Sequence, residues 1–477
     1  MTGDAWDLLV VGGGTAGIVG ATTAAGLGAR VLLVEETRTG GDCLWTGCVP
    51  SKALLAAAGA AASARAAAGF GVDVGEVRVD FDRVRSHVRA AITAIEPEDS
   101  PETLRRAGIV VESGTVVLTG PDTARVGDRD LRFRAALLAT GSSPASPPVA
   151  GLADARPLTT ETVWDLAELP GRLVVLGGGT IGCELGQAFA RLGSAVTIVD
   201  GADRLLPDED GEASAIVTAA LRRDGADVRT GSPATRVRAG AVELGSGDAL
   251  PYDVLLVALG RRPRTAGLGC AAAGVELAGD GSVVVDDRLR TSNPRIVAAG
   301  DVTDRSRFTH TAGVHASLAV SNVLLGRGRT IDPVVPRVTY TSPEVAAVGA
   351  PPADADAHGW TTRRIPHSTV HRAVTERTTE GYTTLVLDRR RRIVGATVVG
   401  PRAGETLGEL ALAVRAGLTA GDLTGTTHPY PTFNDGAWNA AIAATRGRLA
   451  APPARALIGA AMGLRRWWLD RHPPGRE

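Results

Sequence analysis

The feature that most constrains the fold is a pattern that occurs twice along the chain. In each copy a short apolar run is followed by a glycine-rich turn, a helical stretch, a second apolar run and a terminal acid. The first copy covers residues 7–35 and the second covers residues 173–200. This order is typical of a βαβ unit in a parallel sheet. Two copies in a chain of 477 residues predict two dinucleotide-binding domains.

In the first copy the glycines follow the spacing Gly12-x-Gly14-x-x-Gly17. This spacing permits a tight turn, a close approach of the backbone to a pyrophosphate, and close packing of the helix on the strand. Glu35 ends the next strand, 21 positions after Gly14, where its carboxylate can accept hydrogen bonds from ribose hydroxyls. The alternative, two tight turns without a ligand, is disfavoured by the recurrence of the whole unit.

The second copy repeats the spacing with Gly177, Gly179 and Gly182, and Asp200 again follows the middle glycine by 21 positions. An acid at the end of the second strand repels a 2′-phosphate, so it favours NADH over NADPH. Arg204 is close enough in sequence to weaken that preference, and NADPH stays possible.

Composition excludes several classes of function. The net charge is −1, so the chain has no excess of positive charge that would attract nucleic acid. Four cysteines are too few for a disulfide scaffold. The first residues show neither a basic region nor a cleavage site, and no apolar run predicts a membrane span. We therefore expect a cytoplasmic protein.

The most informative stretch contains Cys43 and Cys48, with Gly47 between them and Lys52 following. The two cysteines can close a small disulfide ring if the backbone is distorted, which Gly47 allows. A zinc site would need two further ligands, and two unpaired buried thiols are the remaining alternative. Lys52 is the only lysine among 51 basic residues, so chance alone is a poor explanation for its place beside the cysteines.

These motifs together resemble the flavin-dependent pyridine nucleotide–disulfide oxidoreductases, which include dihydrolipoamide dehydrogenase, glutathione reductase and mercuric reductase. The resemblance covers about residues 5–445. Three further segments carry it in the expected order: Leu138–Gly141, Thr291–Asp301 and Val338–Gly349.

The resemblance implies an α/β fold with two Rossmann-like domains, one for FAD and one for NAD(P), and a C-terminal α+β dimerisation domain that makes a homodimer. The predicted boundaries are 1–150 and 271–335 for the two parts of the FAD domain, 151–270 for the NAD(P) domain, 336–447 for the dimerisation domain and 448–477 for a tail.

The resemblance also assigns cofactor contacts. FAD is expected at the first glycine motif and NAD(H) at the second, with Asp301 binding the ribityl chain of FAD. The further expected cofactor contacts are Gly41, Lys52, Thr140, Gly141, Gly260 and His310.

In the implied reaction a hydride passes from the nicotinamide to the flavin and the electrons continue to a redox-active Cys43–Cys48 disulfide. Cys48 is expected nearest the flavin, and Cys43 is expected to attack the substrate. Lys52 and Glu184 match positions that form an ion pair beside the flavin. A compact ammonium fits where a broad guanidinium does not, which would explain why one lysine is retained.

The chain departs from the family in the segment that supplies an acid–base pair from the partner subunit. When Pro431 is aligned, Tyr430 occupies the histidine position and Asp435 the glutamate position, while His428 lies two residues too early. An imidazole shuttles protons near neutral pH far better than a phenol does. Either His428 swings in as a substitute, or the acceptor needs no such relay.

The sequence therefore leaves two classes of electron acceptor. One is a disulfide-type or other small acceptor that the cysteines reduce, and the other is a quinone or metal ion that receives its electrons directly from FAD. Mercury is disfavoured, because the chain has no cysteine after Cys270. A flavin-bound redox sensor or complex subunit is the alternative outside enzymes. Cys183 and Cys270 are expected in the core, and His367 and His371 are expected in solvent.

The tail from Ala451 mixes apolar residues with Trp467, Trp468 and arginines. Packing on the rest of the chain is the preferred interpretation, and a peripheral membrane contact is the alternative, because tryptophan and arginine suit the headgroup region.

Overall fold

The computed structural model describes residues 5–472, which divide into two compact units. The first unit contains the residues up to Pro207 together with Leu221–Pro333. The second contains Asp208–Ala220 together with the residues from Val334 onward. The mixed α/β fold class is confirmed, whereas the finer domain boundaries stay predictions.

The first glycine motif belongs to a seven-stranded sheet in the first unit. The elements up to residue 144 are β1 (Trp6–Val11), α1 (Thr15–Gly26), β2 (Val31–Glu35), α2 (Gly41–Trp45), α3 (Cys48–Ala66), α4 (Phe81–Asp99), α5 (Pro101–Arg106), β3 (Val110–Ser113), β4 (Val116–Gly120), β5 (Thr123–Val126), β6 (Arg129–Leu138) and β7 (Ser142–Pro144). Strands β3, β2, β1 and β6 pair in parallel, in that order, and β5 and β4 continue the sheet in antiparallel fashion.

Strand β1, in the middle of this sheet, is apolar at consecutive positions because both of its faces are covered. Leu8, Leu9 and Val10 are completely buried, as is typical of parallel strands with helices on either side. The regular alternation of a half-exposed strand is therefore absent here, and length and flanking glycines identify the strand instead.

The second glycine motif belongs to a four-stranded parallel sheet of order β10-β9-β8-β14. The elements from residue 172 to residue 263 are β8 (Arg172–Leu176), α6 (Thr180–Leu192), β9 (Ala195–Val199), α7 (Gly211–Arg223), β10 (Asp227–Arg229), β11 (Ala234–Arg238), β12 (Ala241–Leu244), β13 (Ala249–Pro251), β14 (Val254–Val257) and β15 (Arg261–Pro263). Strands β11–β13 form a small antiparallel sheet, and β15 pairs with β7.

The chain then returns to the first sheet. Strand β16 (Ile296–Ala298) pairs in parallel with β6, and α8 (Thr309–Leu325) packs against α1. Gly20 lets α1 pack closely on the sheet and on α8, because a Cβ there would lie 2.3 Å from Leu137 Cδ2 of β6 and 3.4 Å from Val320 Cγ2 of α8. The return places Asp301 just beyond the carboxyl end of β16, at the edge of the sheet where the first glycine motif also lies.

The second unit is built on a five-stranded antiparallel sheet of order β17-β18-β21-β20-β19. Besides the greater part of α7, its elements are β17 (Arg337–Thr339), β18 (Glu344–Gly349), α9 (Ala355–His358), β19 (Thr361–Pro366), α10 (His371–Thr375), β20 (Tyr382–Leu387), β21 (Ile393–Gly400), α11 (Ala403–Ala416), α12 (Ala420–Gly425), α13 (Asp435–Leu449) and α14 (Pro452–Arg471). Helices α11 and α13 cover the sheet with alanine and leucine.

The expectation about the tail is wrong, and one further stretch has the composition of a membrane span. No residue of α14 is buried, so this described part of the tail does not pack on the rest of its own chain as preferred above. By length and composition alone, the stretch Gly41–Phe70 is apolar enough to cross a membrane, since a window within it has a mean hydropathy of 1.3. That stretch includes α3, whose alanines raise its hydropathy and which packs against α4 and α6. We therefore interpret it as part of the folded unit.

Candidate active site

The first glycine turn carries no side chains at the place where a cofactor pyrophosphate would lie. Gly12 has φ of +102°, and a Cβ there would lie 2.4 Å from Ala139 O. A Cβ at Gly17 would lie 1.9 Å from Gly12 O, so the start of α1 requires a glycine. Gly14 and Gly41 face each other, since a Cβ at Gly41 would lie 2.6 Å from Gly14 Cα. The backbone is thus bare around the N-terminus of α1, which fits an anionic ligand.

The acid at the end of β2 is fixed by the same turn. Glu35 Oε2 accepts a hydrogen bond from Gly13 N at 2.5 Å, and its Oε1 accepts from Thr37 N at 2.9 Å. The carboxylate is therefore held beside the turn, where the sequence predicts the ribose of FAD.

Asp301 lies in a polar cluster at the edge of the sheet. Its Oδ2 accepts a hydrogen bond from Ser142 Oγ at 2.8 Å and lies 3.7 Å from Arg261 Nε. Arg261 also donates to Ser142 Oγ and to Asp42, the neighbour of Cys43. Arg261 therefore links the ribityl-binding candidate to the cysteine loop.

The neighbouring candidates Thr140 and Gly141 connect β6 to β7. Thr140 Oγ1 donates to Arg264 O at 2.7 Å, and Gly141 has φ of +69°. Gly260, with φ of +105°, directly precedes β15. All three lie where the chain crosses between the two nucleotide-binding sheets.

The second glycine turn repeats the first in detail. A Cβ at Gly177 would lie 2.4 Å from Ala258 O, and a Cβ at Gly182 would lie 1.8 Å from Gly177 O. The space at Gly179 is open. Asp200 accepts from Gly178 N at 2.5 Å and from Ala202 N at 2.7 Å. This turn has the same capacity for a dinucleotide as the first one.

The two cysteines lie at a helix break. Cys43 is in α2, Cys48 begins α3, and Gly47 forms the kink between them, where a Cβ would lie 2.8 Å from Asp42 O. Both are free thiols in the structure, and both are half-buried.

The two thiols have opposite acidities. The hydrogen bond from Cys43 lowers the pKa of Cys48 to about 6 despite burial, and Thr309 and the charge of Lys52 contribute in the same direction. Cys48 Sγ lies 3.3 Å from Thr309 Oγ1. The hydrogen bond to Cys48, together with burial, raises the pKa of Cys43 well above its usual range. The surroundings of the pair therefore favour the negative charge on Cys48 over Cys43.

The predicted ion pair beside the cysteines is present. Lys52 Nζ lies 2.9 Å from Glu184 Oε2, and the glutamate side chain is only 5% exposed. Lys52 lies one helical turn beyond Cys48 in α3, and Glu184 belongs to α6, so the pair joins the cysteine helix to the second glycine motif.

Cys183 and Cys270 take structural positions, whereas the two histidines of α8 differ in burial. Cys183 is fully buried, and burial raises its pKa, while Cys270 is also in the core. His315 is buried, and its pKa is lowered by burial and by the charge of Arg305. His310 is the second residue of α8 and stacks on Phe308.

The predicted acid–base segment lies in the second unit. His428 Nε2 lies 2.8 Å from Glu409 Oε1, its Nδ1 lies 2.9 Å from Thr426 O, and its side chain is 4% exposed. Tyr430 is 65% exposed. This arrangement contradicts a His428 that swings freely, because both ring nitrogens already have partners.

Asp435, His367 and His371 also lie in the second unit. Asp435 is buried at the start of α13 and accepts from Thr432 Oγ1. The expectation of a solvated His367 is wrong: it is buried against Thr383, and burial together with the charge of Arg364 lowers its pKa to about 4. His371 is exposed, but its Nδ1 lies 2.5 Å from Tyr430 Oη.

Four residues of these clusters are missing from the sequence analysis as site residues: Arg261, Thr309, Glu409 and His371. The available signal for Arg261 was its place directly after Gly260. The other three are brought to their partners by the tertiary fold, across 261, 19 and 59 positions respectively, and no local pattern marks them.

Comparison with known proteins agrees with this geometry. The family model for pyridine nucleotide-disulphide oxidoreductases matches residues 6–316, and the model of the family's dimerisation domain matches residues 335–441. A dihydrolipoyl dehydrogenase of Thermus scotoductus is 35% identical over 463 residues, covering 92% of this chain and 97% of the relative. A mercuric reductase of Bacillus cereus is 35% identical over 442 residues, covering 90% of this chain and 70% of the relative.

Solved structures show the same likeness. LpdA from Mycobacterium tuberculosis superposes with a TM-score of 0.84 at 28% identity, covering 93% of this chain and 100% of that one. The Cu(II) complex of the HOCl-induced flavoprotein disulfide reductase RclA from Escherichia coli gives 0.80 at 27% identity, covering 90% and 98%. The chain therefore belongs to the pyridine nucleotide-disulphide oxidoreductase family, as an enzyme that uses FAD and NAD(P)H and carries the family's dimerisation domain.

Proposed function

We propose that this enzyme uses NADH to reduce a small disulfide, with Cys43 and Cys48 as the redox pair. The observation that carries the proposal is the placement of the two thiols: Cys48 begins α3 one helical turn before Lys52 and its Sγ lies 3.3 Å from Thr309 Oγ1, which favours a lower pKa at Cys48 than at Cys43. A stable thiolate suits the cysteine that exchanges electrons with the flavin. A protonated neighbour suits the cysteine that waits for a substrate.

The residues of the first site fit FAD. The bare backbone at Gly14 and Gly41 would take the pyrophosphate, Glu35 the ribose, and Asp301 the ribityl chain. When bound, FAD would supply the group that accepts a hydride from the nicotinamide and passes the electrons to sulfur. The Lys52–Glu184 pair would hold a positive charge beside Cys48 without leaving the buried carboxylate uncompensated.

The second site fits the dinucleotide that brings the hydride. Asp200 points its carboxylate into the turn at Gly178, where a 2′-phosphate would meet like charge. We therefore propose NADH as the preferred donor.

The homodimer completes the proposed active site. The dimerisation domain indicates a homodimer. We propose that the segment 428–435 of one subunit reaches the cysteine pair of its partner, with the exposed Tyr430 as its contributing side chain. His428 and Asp435 would then stabilise this segment, since both are buried and hydrogen-bonded.

An anaerobic titration of the FAD-loaded protein with NADH tests the proposal. We expect four electrons per subunit, two on the flavin and two on the sulfurs, and a long-wavelength thiolate-to-flavin band. Cys43→Ser should stop at two electrons, and the control Cys270→Ala, outside the pair, should behave like the wild type. If the wild type also stops at two electrons, the cysteines are not a redox pair.

A second candidate is the reduction of a metal ion or a quinone. The tyrosine at the position of the family's histidine favours it, because such acceptors need no protonation of a leaving thiolate. A solved relative is also a Cu(II) complex. Steady-state rates with Cu(II), a soluble quinone and lipoamide separate the candidates: an acceptor that Cys43→Ser still reduces at the wild-type rate takes its electrons directly from FAD.

We also propose that α14 contacts an anionic membrane surface, which would place this otherwise cytoplasmic enzyme at the inner face of the membrane. Leu457, Leu464 and Trp468 share one face of the helix and are all exposed. The helix also carries four arginines and one aspartate, an excess of positive charge that suits anionic headgroups.

Flotation with phosphatidylglycerol vesicles tests this contact. The full-length enzyme should float, and both a truncation after residue 450 and neutral phosphatidylcholine vesicles should abolish flotation. If truncation instead changes the oligomeric state and leaves flotation unaffected, α14 covers a second copy of the chain and the membrane proposal is wrong.

A further inference from the structure

We propose that His371 and Tyr430 form a proton relay that replaces the family's histidine in the reduction of dialkyl disulfides. The inference rests on the proposed function, because it requires that Tyr430 reach the cysteine pair of the partner subunit. It adds a residue, His371, that nothing in the sequence connects with the active site.

The geometry of the pair is that of a strong hydrogen bond. His371 Nδ1 lies 2.5 Å from Tyr430 Oη, and the two rings meet edge to face with centroids 5.8 Å apart. His371 is the first residue of α10, while Tyr430 lies in the loop before α13. Both side chains are exposed, so the pair is accessible from outside its own unit.

The other histidines near this segment are engaged elsewhere. His428 is held by Glu409 and Thr426, and His367 is buried against Thr383. Arg372, the charged neighbour of His371, is paired with Glu376. His371 is therefore the imidazole whose ring bonds directly to the phenol that occupies the predicted acid–base position.

The relay satisfies the proton balance of disulfide reduction. Cys43 attacks one sulfur of the substrate, a mixed disulfide forms, and the substrate S–S bond breaks. The proton of Cys43 passes to Tyr430 Oη as the phenol proton moves to His371 Nδ1, and the relay then returns a proton to the first leaving thiolate. The Cys48 thiolate next attacks Cys43, which closes the Cys43–Cys48 disulfide. The second leaving thiolate takes its proton from solvent.

The imidazole is required in this scheme because a phenol alone has no acceptor for the extra proton. Tyr430 touches the substrate sulfur and is the catalytic residue, while His371 acts through it as a positioning residue that also holds the proton. The importance of the relay depends on the leaving group. A dialkyl disulfide releases a basic thiolate that needs a proton, whereas an aryl disulfide releases a thiolate that is stable without one.

The test compares lipoamide, a dialkyl disulfide, with the aryl disulfide dithiobis(nitrobenzoate). We expect His371→Ala, His371→Asn and Tyr430→Phe each to lower kcat with lipoamide by about 100-fold, at the lower end of general acid–base effects. With the aryl disulfide the loss should be several-fold smaller. The control His358→Asn, at another exposed histidine of the same unit, should change neither rate.

The asparagine variant separates a relay from simple positioning, since its amide can hold Tyr430 in place but cannot take up the proton. Recovery of the wild-type rate in His371→Asn would refute the relay, as would equal losses with both disulfides. The double variant with Tyr430→Phe should be no slower than the slower single variant. Independent, multiplicative losses would also contradict an action of His371 through Tyr430.

The proposed function and the relay fail in different ways. If Cys43→Ser reduces lipoamide at the wild-type rate, the cysteine pair is not used and the proposed function itself is wrong. If Cys43→Ser is inactive while the His371 variants keep full activity, only the relay is wrong. The rate of flavin reduction by NADH, measured under anaerobic conditions, should be unchanged in the His371 variants and verifies that they are folded and loaded with FAD.

Discussion

Replacement of Lys52 by methionine tests how the cysteine pair is kept reactive. The substitution retains a long unbranched side chain and removes the positive charge that helps lower the pKa of Cys48. It also leaves Glu184 with its buried carboxylate facing the same site. Both changes act against the thiolate, so the pKa of Cys48 should rise.

The size of the expected pKa shift follows from the relative strength of the interactions that lower the pKa of Cys48. The hydrogen bond from Cys43 is the largest influence that lowers the pKa, Thr309 is the next, and the charge of Lys52 is smaller. A nearby opposite charge ordinarily shifts a pKa by about 1–3 units, and Lys52 is 38% exposed, so the low end applies. We expect the titration midpoint to rise by about one pH unit from its value near 6.

The assay is a pH titration of the thiolate-to-flavin absorbance in enzyme reduced by two electrons. In the wild type the band should be present above pH 6 and disappear as the pH falls through about 6, because protonation removes the thiolate. The Lys52→Met band should disappear about one unit higher. Lys52→Met/Glu184→Gln, which also removes the opposing charge, should fall between the two. Identical midpoints in the wild type and Lys52→Met would refute the electrostatic argument.

Three further predictions concern the neighbouring groups. Cys43→Ser should lower lipoamide reduction by at least about 100-fold in stopped-flow and steady-state assays, while reduction of FAD by NADH persists. Gly182→Ala, whose Cβ would lie 1.8 Å from Gly177 O, should abolish tight NADH binding by fluorescence titration and leave the FAD content unchanged. Asp200→Ser should raise kcat/KM for NADPH relative to NADH by about tenfold, since it removes a charge that repels the 2′-phosphate.

The geometry of the two glycine turns could be predicted from the sequence because each turn is determined by a short segment. In both glycine motifs the turn, the start of the helix and the terminal acid lie within about thirty residues, so spacing alone fixes their geometry. The backbone contacts at Gly17 and Gly182 exclude any side chain, and the sequence shows this as an invariant spacing between the two copies.

The environment of the cysteines could be predicted only in part. Lys52 is on the same helix as Cys48, one turn away, and stands out as the only lysine of the chain. Thr309 and Arg261 reach the cysteine loop from 261 and 219 positions away and are of residue types that occur throughout the sequence. Contacts of this kind depend on how β15 and α8 return to the first sheet, which no local periodicity specifies.

The acid–base segment shows why the identity of a residue is a weaker guide than its partners. The sequence left two alternatives: either His428, two positions before Tyr430, substitutes for the missing histidine, or the acceptor needs no such relay. The fold instead commits that imidazole to Glu409 on α11, which leaves it too few exposed atoms to meet a substrate. A neighbour 59 positions away, His371, supplies the imidazole bonded to Tyr430.

The stability of the C-terminal helix depends on its own helix propensity and on packing against another surface. Its alanine, leucine, methionine and arginine content favours helix, so the prediction of an apolar-faced helix agrees with α14. In proteins most of the stability of a helix nevertheless comes from packing of its apolar face, and α14 buries no residue that could add packing energy. A surface that covers Leu457, Leu464 and Trp468 would supply that energy. Helicity of the tail, followed by circular dichroism of the full-length and truncated enzymes, should therefore increase when anionic vesicles are added.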